Sequence, residues 1–396
     1  MTCQLSARSW RRVRSSVALQ VALAAMCVVV PAMKASPAEA DAIRNQEWIL
    51  SSLDVQGAQR YSNGRGVVVA VVDTGVDGKH VDLAGSVLAG VDFTSGSPRG
   101  VGAVDANGHG TGMAGLIVGH GHGIGHADGI LGLAPEAKVL PIRLLANPES
   151  SSGGAGQAVA WATAHGASVI SMSFAGPSAN DQEAQAMAAA YRANVVLVAG
   201  AGNVNEGARQ VEYPAAYPGV VAVAGTDEHG NHSRVSVTGN LITIAAPSDN
   251  IPSTYNTGGY AIGSGTSSST AIVAGAAALI RSRFPNLTAG EVVNRLTATA
   301  IDKGPPGRDD EYGYGLLNLV GALTAKVPPA GSAATTPSTI ASAPTAQAPT
   351  PTKNRTDSLT PASRSKTTMT ISVVGIIVVA LAVLGAWILV RRRRPG

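Results

Sequence analysis

Short, largely apolar runs alternate with stretches of helical spacing through the middle of this chain. The runs are five to seven residues long, as strands in a buried sheet are, and they lie at Val67–Val72, Val139–Leu144, Ser168–Phe174, Val195–Ala199, Val220–Ala224 and Leu241–Ala245. Helices are predicted at Ala155–His165, Gln182–Arg192, Thr266–Phe284 and Ala289–Thr299. This alternation predicts an α/β fold, a three-layer sandwich with a mostly parallel central sheet and helices on both faces.

The amino-terminal end departs from this pattern. Four arginines between Arg8 and Arg14 precede an apolar segment from about Val17 to Ala32, and small residues follow up to Ala38-Glu39-Ala40. A basic stretch, an apolar stretch and an A-x-A site are typical of a secretory signal peptide, predicted here for residues 1–40. The alternative is an uncleaved membrane anchor, for which the apolar run is short.

The carboxy-terminal end departs from it as well. Residues 327–369 are rich in Pro, Ala, Ser and Thr, which predicts a disordered linker. Residues 370–390 are apolar and long enough for a transmembrane helix, and the tail 391–396 opens with four arginines. By the positive-inside rule the tail is cytoplasmic. We therefore expect a single-pass cell-membrane protein whose folded domain, residues 41–326, is extracytoplasmic.

Composition narrows the chemistry of the folded domain. Both cysteines of the 396-residue chain, Cys3 and Cys27, precede residue 41, so no disulfide and no thiolate metal site is expected. The net charge of +4 rests largely on the terminal arginines, and no nucleic-acid partner is expected. The loop His120–His126 carries three histidines among glycines and is either an exposed loop or a metal site. We predict no cofactor and no metal; calcium is possible, but no acidic cluster assigns a site.

Three residues suited to acyl transfer follow in the order acid, base, nucleophile. Asp73 ends the first predicted strand, His109 precedes a small-residue helix, and Ser267 stands at the start of the predicted helix Thr266–Phe284. Ligand and catalytic groups gather at the carboxyl ends of parallel strands. Alone, Ser267 is more simply explained as a helix cap, and we expect it to be both cap and nucleophile.

The sequence around these residues resembles that of the subtilisin-like (S8) serine proteases. The similar motifs are Asp73-Thr74-Gly75, Asn107-Gly108-His109-Gly110-Thr111, Ser171-Met172-Ser173-Phe174-Ala175-Gly176, Ala201-Gly202-Asn203 and Gly265-Thr266-Ser267. Five motifs in this order form a specific signal, although each one alone is weak. Asp73, His109 and Ser267 also follow one another as the triad residues of subtilisin do.

This resemblance implies a subtilisin-like fold and a role for each residue. Ser267 would attack a peptide carbonyl, His109 would act as general base, and Asp73 would orient the imidazole. Asn203 would form the oxyanion hole together with the N–H of Ser267. The segment Ser173, Phe174, Ala175 and Gly176 would offer an unpaired strand edge to a protein or peptide substrate.

Features outside these motifs resemble the mycosins, membrane-anchored subtilases of type VII secretion systems. They are Ala42–Trp48, Leu140–Arg143, Ile280–Pro285 and the carboxy-terminal anchor. The mycosin resemblance implies a type VII secretion membrane complex as a partner. The alternative is a mainly structural component of that complex with dispensable catalysis.

Two positions depart from the common subtilase pattern. Ala271 stands where the family usually has a proline, and Gly112 stands where a second histidine or a β-branched residue is frequent. Neither departure touches the triad, so we expect them to affect the shape of the binding pocket and the efficiency of catalysis more than the reaction itself. The loops Gly96–Gly102 and His120–His126 are possible covers of the cleft.

Overall fold

The structure is a computed structural model that describes residues 42–146 and 154–328. The predicted signal peptide (1–40), nearly all of the predicted linker (327–369), the predicted transmembrane helix (370–390) and the tail (391–396) lie outside the described residues. None of the helices within the described ranges combines the length and apolar character needed to cross a bilayer.

Strands and helices alternate along the described chain. The strands are β1 Val68–Asp73, β2 Val91–Asp92, β3 His120–His122, β4 Asp128–Leu131, β5 Lys138–Arg143, β6 Val169–Met172, β7 Val196–Gly200, β8 Val220–Thr226, β9 Ile244–Pro247, β10 Ile251–Tyr255 and β11 Gly259–Gly263. The helices are α1 Ile49–Ser52, α2 Val55–Gln59, α3 His109–Val118, α4 Ala155–Ala164, α5 Asp181–Arg192, α6 Thr266–Arg283, α7 Ala289–Ala298 and α8 Leu319–Thr324.

Seven strands form one parallel sheet in the order β2-β5-β1-β6-β7-β8-β9. From β1 the chain first builds the sheet toward β2 and β5, and from β6 onward it builds in the opposite direction. The direction therefore reverses beside β1, and open α/β sheets bind ligands at the carboxyl ends of the strands at such a point. The predicted parallel sheet is confirmed, with seven strands.

Alternate residues of the strands supply two separate cores, one on each face of the sheet. On one face Val69 and Val71 of β1 belong to a core that also contains buried residues of α3 and α6. On the other face Ala70 and Val72 belong to a core with residues of α4 and α5. This division follows from the two-residue period of a strand, and it confirms the predicted three layers.

Helix α6 is the central helix of its face. It spans Thr266–Arg283, and nearly every residue from Thr266 to Arg281 is buried against β6, β7, β8 and β9. Ala271, the residue in place of the family's usual proline, is fully buried in this helix. Alanine keeps the backbone N–H donor that proline lacks, so the helix runs without interruption at this position.

Two antiparallel hairpins are features that the hydrophobic pattern did not predict. Strands β3 and β4 pair in one hairpin, and β10 and β11 pair in the other. Both are rich in glycine and polar residues, and neither belongs to the main sheet. Small two-stranded sheets are covered on fewer sides than a central strand, so they lack its continuous apolar signal.

Candidate active site

Asp73 is the last residue of β1 and is completely buried. Its Oδ1 accepts the backbone N–H of Thr74 at 2.7 Å and contacts Nδ1 of His109 at 2.7 Å. A carboxylate can only accept in this contact, so His109 carries its proton on Nδ1. The imidazole is thereby fixed in the tautomer whose Nε2 is free to take a proton.

His109 is the first residue of α3, after the helix cap Gly108. Gly108 has a φ of 104°, and a Cβ on it would overlap the ring of Tyr255, so only glycine fits this turn. Burial lowers the pKa of His109, but the charge and hydrogen bond of Asp73, with contributions from Asp105 and Glu206, outweigh it and raise the pKa. The surroundings therefore stabilise the imidazolium that general-base catalysis creates.

Ser267 lies in the first turn of α6 but does not cap it. The cap residue is Gly265, and the helix begins at Thr266, one residue before the serine. The expectation that Ser267 caps this helix is therefore wrong. Its hydroxyl instead donates to the carbonyl oxygen of Ser173 at 3.2 Å. A residue in the first helical turn has no intrahelical acceptor for its N–H, which leaves that N–H available to a ligand.

Asn203 connects the end of β7 to the start of α6. Its Oδ1 accepts the backbone N–H of Thr266 at 3.0 Å and the hydroxyl of Thr266 at 3.1 Å. The Nδ2 group donates to Oε1 of Glu206 at 3.0 Å. Because Thr266 fixes the amide oxygen, the donor side of the amide has one orientation, toward Glu206 and beside Gly265.

Four residues from separate elements meet at one cleft: Asp73, His109, Asn203 and Ser267. A cavity of about 350 Å³ is lined by His109, Asn203 and Ser267, and Asp73 lies directly behind His109. The β10–β11 hairpin supplies another part of the lining through Tyr255 and Ile262, among other residues. Among the described residues, neither the loop Gly96–Gly102 nor the loop His120–His126 contributes to this lining.

The predicted substrate strand follows β6 along the cleft. Ser173, Phe174 and Ala175 line the cavity. Gly176 does not offer a free edge, because its N–H and its carbonyl both bond to the backbone of Tyr213 at 2.9 Å. The edge available to a ligand is therefore shorter than the sequence motif suggested, and it ends where this antiparallel bridge begins.

The histidine loop is built around a buried carboxylate. Nδ1 of His122 contacts Oδ1 of Asp82 at 2.6 Å, and Asp82 is fully buried. Oδ2 of Asp82 accepts the N–H of Ile130 at 2.8 Å. Within residues 42–146 and 154–328 no group of three or more His, Cys, Asp or Glu side chains is arranged to hold a metal ion. His122 thus anchors the β3–β4 hairpin.

Two carboxylates near the cleft were not predicted from the sequence. Asp105 accepts hydrogen bonds from the loop that carries His109, and Glu206 accepts the amide of Asn203. A sequence signal existed for Asp105, since an Asp two residues before Asn-Gly is a residue type that binds the backbone of its own turn. No local signal exists for Glu206, whose contact depends on how a short 3₁₀ turn folds back onto Asn203.

The comparison with known proteins decides the family. A sequence profile of the subtilase family matches residues 64–315, more than half of the chain. The chain belongs to the subtilase family. Subtilisin DY from Bacillus licheniformis is 38% identical over 279 residues, which cover 69% of this chain and 96% of that protein. Members of this family are serine endopeptidases, and so is this chain, as the sequence predicted.

Solved structures refine this subtilase assignment. MycP1 from Mycobacterium smegmatis is 30% identical with a TM-score of 0.63, and the match covers 71% of this chain and 85% of MycP1. The MycP3 protease from the type VII (ESX-3) secretion system is 32% identical with a TM-score of 0.60, over 70% of this chain and 88% of that structure. The predicted resemblance to the mycosins and the subtilisin-like fold are both confirmed.

Proposed function

We propose that this subtilase is a membrane-anchored, extracytoplasmic endopeptidase of a type VII secretion system that works through Asp73, His109 and Ser267. One observation supports the catalytic part of this proposal. His109 contacts buried Asp73 at 2.7 Å, and it lines the same cleft as Ser267 and Asn203. A hydroxyl, an imidazole in the required tautomer and an amide donor in one cleft are the parts that acyl transfer needs.

The first half-reaction forms an acyl-enzyme. The hydroxyl of Ser267 leaves the carbonyl of Ser173, turns to Nε2 of His109 and gives up its proton as its oxygen attacks the substrate carbonyl. The tetrahedral intermediate collapses, the C–N bond breaks, and His109 returns the proton to the leaving amine. Asp73 keeps Nδ1 protonated throughout and stabilises the imidazolium.

The second half-reaction releases the acyl group. A water molecule gives one proton to Nε2 of His109 while its oxygen attacks the acyl carbon, and the proton then returns to Oγ of Ser267. In both halves the negative oxygen lies between Nδ2 of Asn203 and the N–H of Ser267 at the start of α6. Two fixed donors and the positive end of a helix stabilise that charge where it develops.

The substrate binds as an added strand. Ser173 to Ala175 present backbone groups beside the nucleophile, and an extended peptide pairs with such an edge through main-chain hydrogen bonds. Pairing through the main chain accepts many sequences, so side-chain preference depends on the walls of the cleft. Phe174 and Ile262 make part of those walls apolar.

Location and partner follow from the ends of the chain and from its relatives. The apolar segments Val17–Ala32 and Ile371–Val390 support export and anchoring, and the four arginines after Val390 support a cytoplasmic tail. MycP1 and MycP3 support the assignment to a type VII secretion complex.

A chemical label tests the proposed nucleophile. The detergent-solubilised full chain is treated with a fluorophosphonate, and the modified peptide is identified by mass spectrometry. We expect an adduct on Ser267 that disappears in Ser267→Ala and in His109→Ala. Ser268→Ala is the matched control, since Ser268 lines the same cleft in the same helix and should leave labelling intact. An unlabelled, folded wild-type chain would refute the triad.

A cellular experiment tests the biological role. Secreted proteins from wild-type cells, Ser267→Ala cells and cells lacking the gene are compared by their new amino termini. We expect cleavage products that are absent in both mutants. Secretion that persists in the Ser267→Ala cells and fails without the protein would show that its scaffold role is the essential one. Unchanged type VII secretion in the absence of the protein would contradict the proposed partner.

A further inference from the structure

A buried carboxylate holds the turn in front of the catalytic histidine. The side chain of Asp105 is nearly inaccessible, and its Oδ1 accepts the N–H groups of Asn107 and Gly108, each at 2.9 Å. Its Oδ2 accepts the N–H of Thr111 at 3.0 Å and the hydroxyl of Thr111 at 2.7 Å. These four bonds enclose His109 from both sides along the chain.

The same carboxylate connects this turn to the strand that carries Asp73. The hydroxyl of Thr74 donates to Oδ1 of Asp105 at 3.0 Å and accepts the N–H of Gly110 at 3.0 Å. Thr74 directly follows Asp73, and Gly110 directly follows His109. The two members of the catalytic dyad are therefore linked a second time, through Thr74 and Asp105, in addition to their own contact.

The negative charge of Asp105 also stabilises the charged form of His109, which the position of this residue in the fold disfavours. His109 is the first residue of α3, where the helix macrodipole and burial both disfavour an imidazolium. The groups that face it are Asp73 at the end of β1, Asp105 in the preceding loop and Glu206 after β7. The phenol of Tyr255 on β10 packs against the adjacent Gly108. Asp105 is thus one of three negative charges that favour the charged ring.

We propose that Asp105 is a positioning residue of the triad, which fixes His109 against Asp73 and stabilises its imidazolium during acyl transfer. This inference rests on the function proposed above. It assigns to Asp105 two separable effects, one of geometry through Thr74 and one of charge on His109. Each effect has a variant that removes it.

The charge effect is tested with Asp105→Asn in the detergent-solubilised full chain. Fluorophosphonate labelling of Ser267 is followed over pH, and kinact and KI are separated. We expect kinact to fall by about 10- to 100-fold, the loss typical of a charge-assisted hydrogen bond, with KI little changed. The acid limb of kinact/KI should move to lower pH, because removing a negative charge lowers the pKa of His109. Asp227→Asn is the matched control, since Asp227 accepts its own turn's N–H groups outside the cleft.

The geometric effect is tested at Thr74. Thr74→Val removes both hydroxyl contacts and keeps every charge, so kinact should fall without a shift of the acid limb. Thr74→Ser should restore the rate. If Asp105→Asn does not fold, this pair still tests the geometric effect, and wild-type labelling of Thr74→Val still overturns the proposal.

Four results would separate the possibilities. A folded Asp105→Asn chain with wild-type kinact, or with slower labelling and an unmoved acid limb, would overturn the proposal. So would a Thr74→Val chain that labels like wild type. Failure of the wild-type chain to label at Ser267 would instead overturn the proposed triad itself, so the two failures are distinguishable.

Discussion

The amide of Asn203 donates to the carboxylate of Glu206 across 3.0 Å, on the wall of the cleft that also holds Ser267. The opposite end of the same amide is fixed by Thr266, so Nδ2 has little freedom to turn elsewhere. In the proposed mechanism the substrate oxyanion accepts a hydrogen bond from this amide. The amide nitrogen has two N–H groups, and Glu206, in the exposed turn Val204–Glu206, accepts one of them and adds a negative charge next to the donor.

Removing the carboxylate of Glu206 should make the enzyme faster. In Glu206→Ala both N–H groups of Asn203 are free before the substrate arrives, and the repulsion between the carboxylate and the oxyanion is gone. We expect this gain to exceed the loss of support for the His109 imidazolium, to which Glu206 contributes least of the three carboxylates. We expect kinact/KI to rise by about 2- to 10-fold above neutral pH, as expected for one partly exposed hydrogen bond. The measurement is fluorophosphonate labelling of Ser267. Glu228→Gln, which changes an exposed carboxylate outside the cleft lining, should change nothing; slower labelling of Glu206→Ala would contradict the repulsion between Glu206 and the oxyanion.

Removing the donor itself should have the opposite and larger effect. Asn203→Ala should lower kcat by about 10²- to 10³-fold with little change in KM, the range known for loss of one oxyanion-hole donor in subtilisin. Asn203→Asp keeps an oxygen for Thr266 but removes the N–H, so it should be at least as slow. Peptide hydrolysis and thermal unfolding are measured together. Activity that falls only in proportion to lost folding would argue against a role for the amide in catalysis.

Much of the fold followed from the sequence because a central parallel strand is buried on both faces. Val69 to Val72 are all apolar for this reason, and the predicted start of β1 differs from the observed one by a single residue. The hairpins escaped prediction because their stability rests on contacts with other elements. Gly115 of α3, for example, lies against Thr254 of β10 so closely that a Cβ would overlap its hydroxyl.

The site was predictable where it depends on motifs and unpredictable where it depends on three-dimensional contacts. Asp73, His109 and Ser267 were predicted from their motifs and from their positions at the ends of elements, and the structure brings them together at one cleft. The cap assigned to Ser267 was wrong because a helix boundary one residue earlier transfers that role to Gly265. The backbone pairing of Gly176 depends on Tyr213, a residue far along the chain. The contact of Glu206 with Asn203 depends on how a short turn folds. No local sequence pattern specifies either contact.

Close packing behind the histidine makes Gly110 intolerant of a side chain. A Cβ at this position would lie 2.1 Å from the carbonyl oxygen of Gly75 and 3.0 Å from Cβ of Asp73. Gly110→Ala must therefore displace α3 from β1, at a cost of about 1–3 kcal/mol in the free energy of unfolding. We expect kinact to fall more than about tenfold as the dyad separates.

Gly290→Ala is the control for Gly110→Ala. Its Cβ would meet only the phenol oxygen at the end of the Tyr191 side chain, and alanine favours a helix. Urea unfolding should place this variant at or slightly above wild-type stability, with normal labelling of Ser267. Equal effects of the two substitutions would mean that the contact with Gly75 does not determine the result.

The protonation of buried Glu47 should make the stability of the domain depend on pH. Its carboxylate accepts the N–H of Leu131 and contacts Nε of Arg44 at 2.9 Å. Burial nevertheless outweighs both contacts and raises the pKa of Glu47 to about 8, whereas an unfolded glutamate has a pKa near 4.5. Between these two values the folded state holds a proton that the unfolded state has released. The free energy of unfolding therefore decreases as the pH rises through this window.

Substituting Glu47 should remove this dependence. We expect the wild-type chain to lose stability from pH 5 to pH 8 by up to about 1.4 kcal/mol per pH unit, and Glu47→Gln to have a flatter profile. The free energy of unfolding at each pH is measured by urea unfolding of the full chain in detergent, followed by tryptophan fluorescence. Glu136→Gln is the control, because Arg65 lowers the pKa of that exposed carboxyl and its window lies at acid pH. If Glu47→Gln keeps the wild-type slope, Glu47 is charged in the folded state and its ion pair with Arg44 outweighs burial.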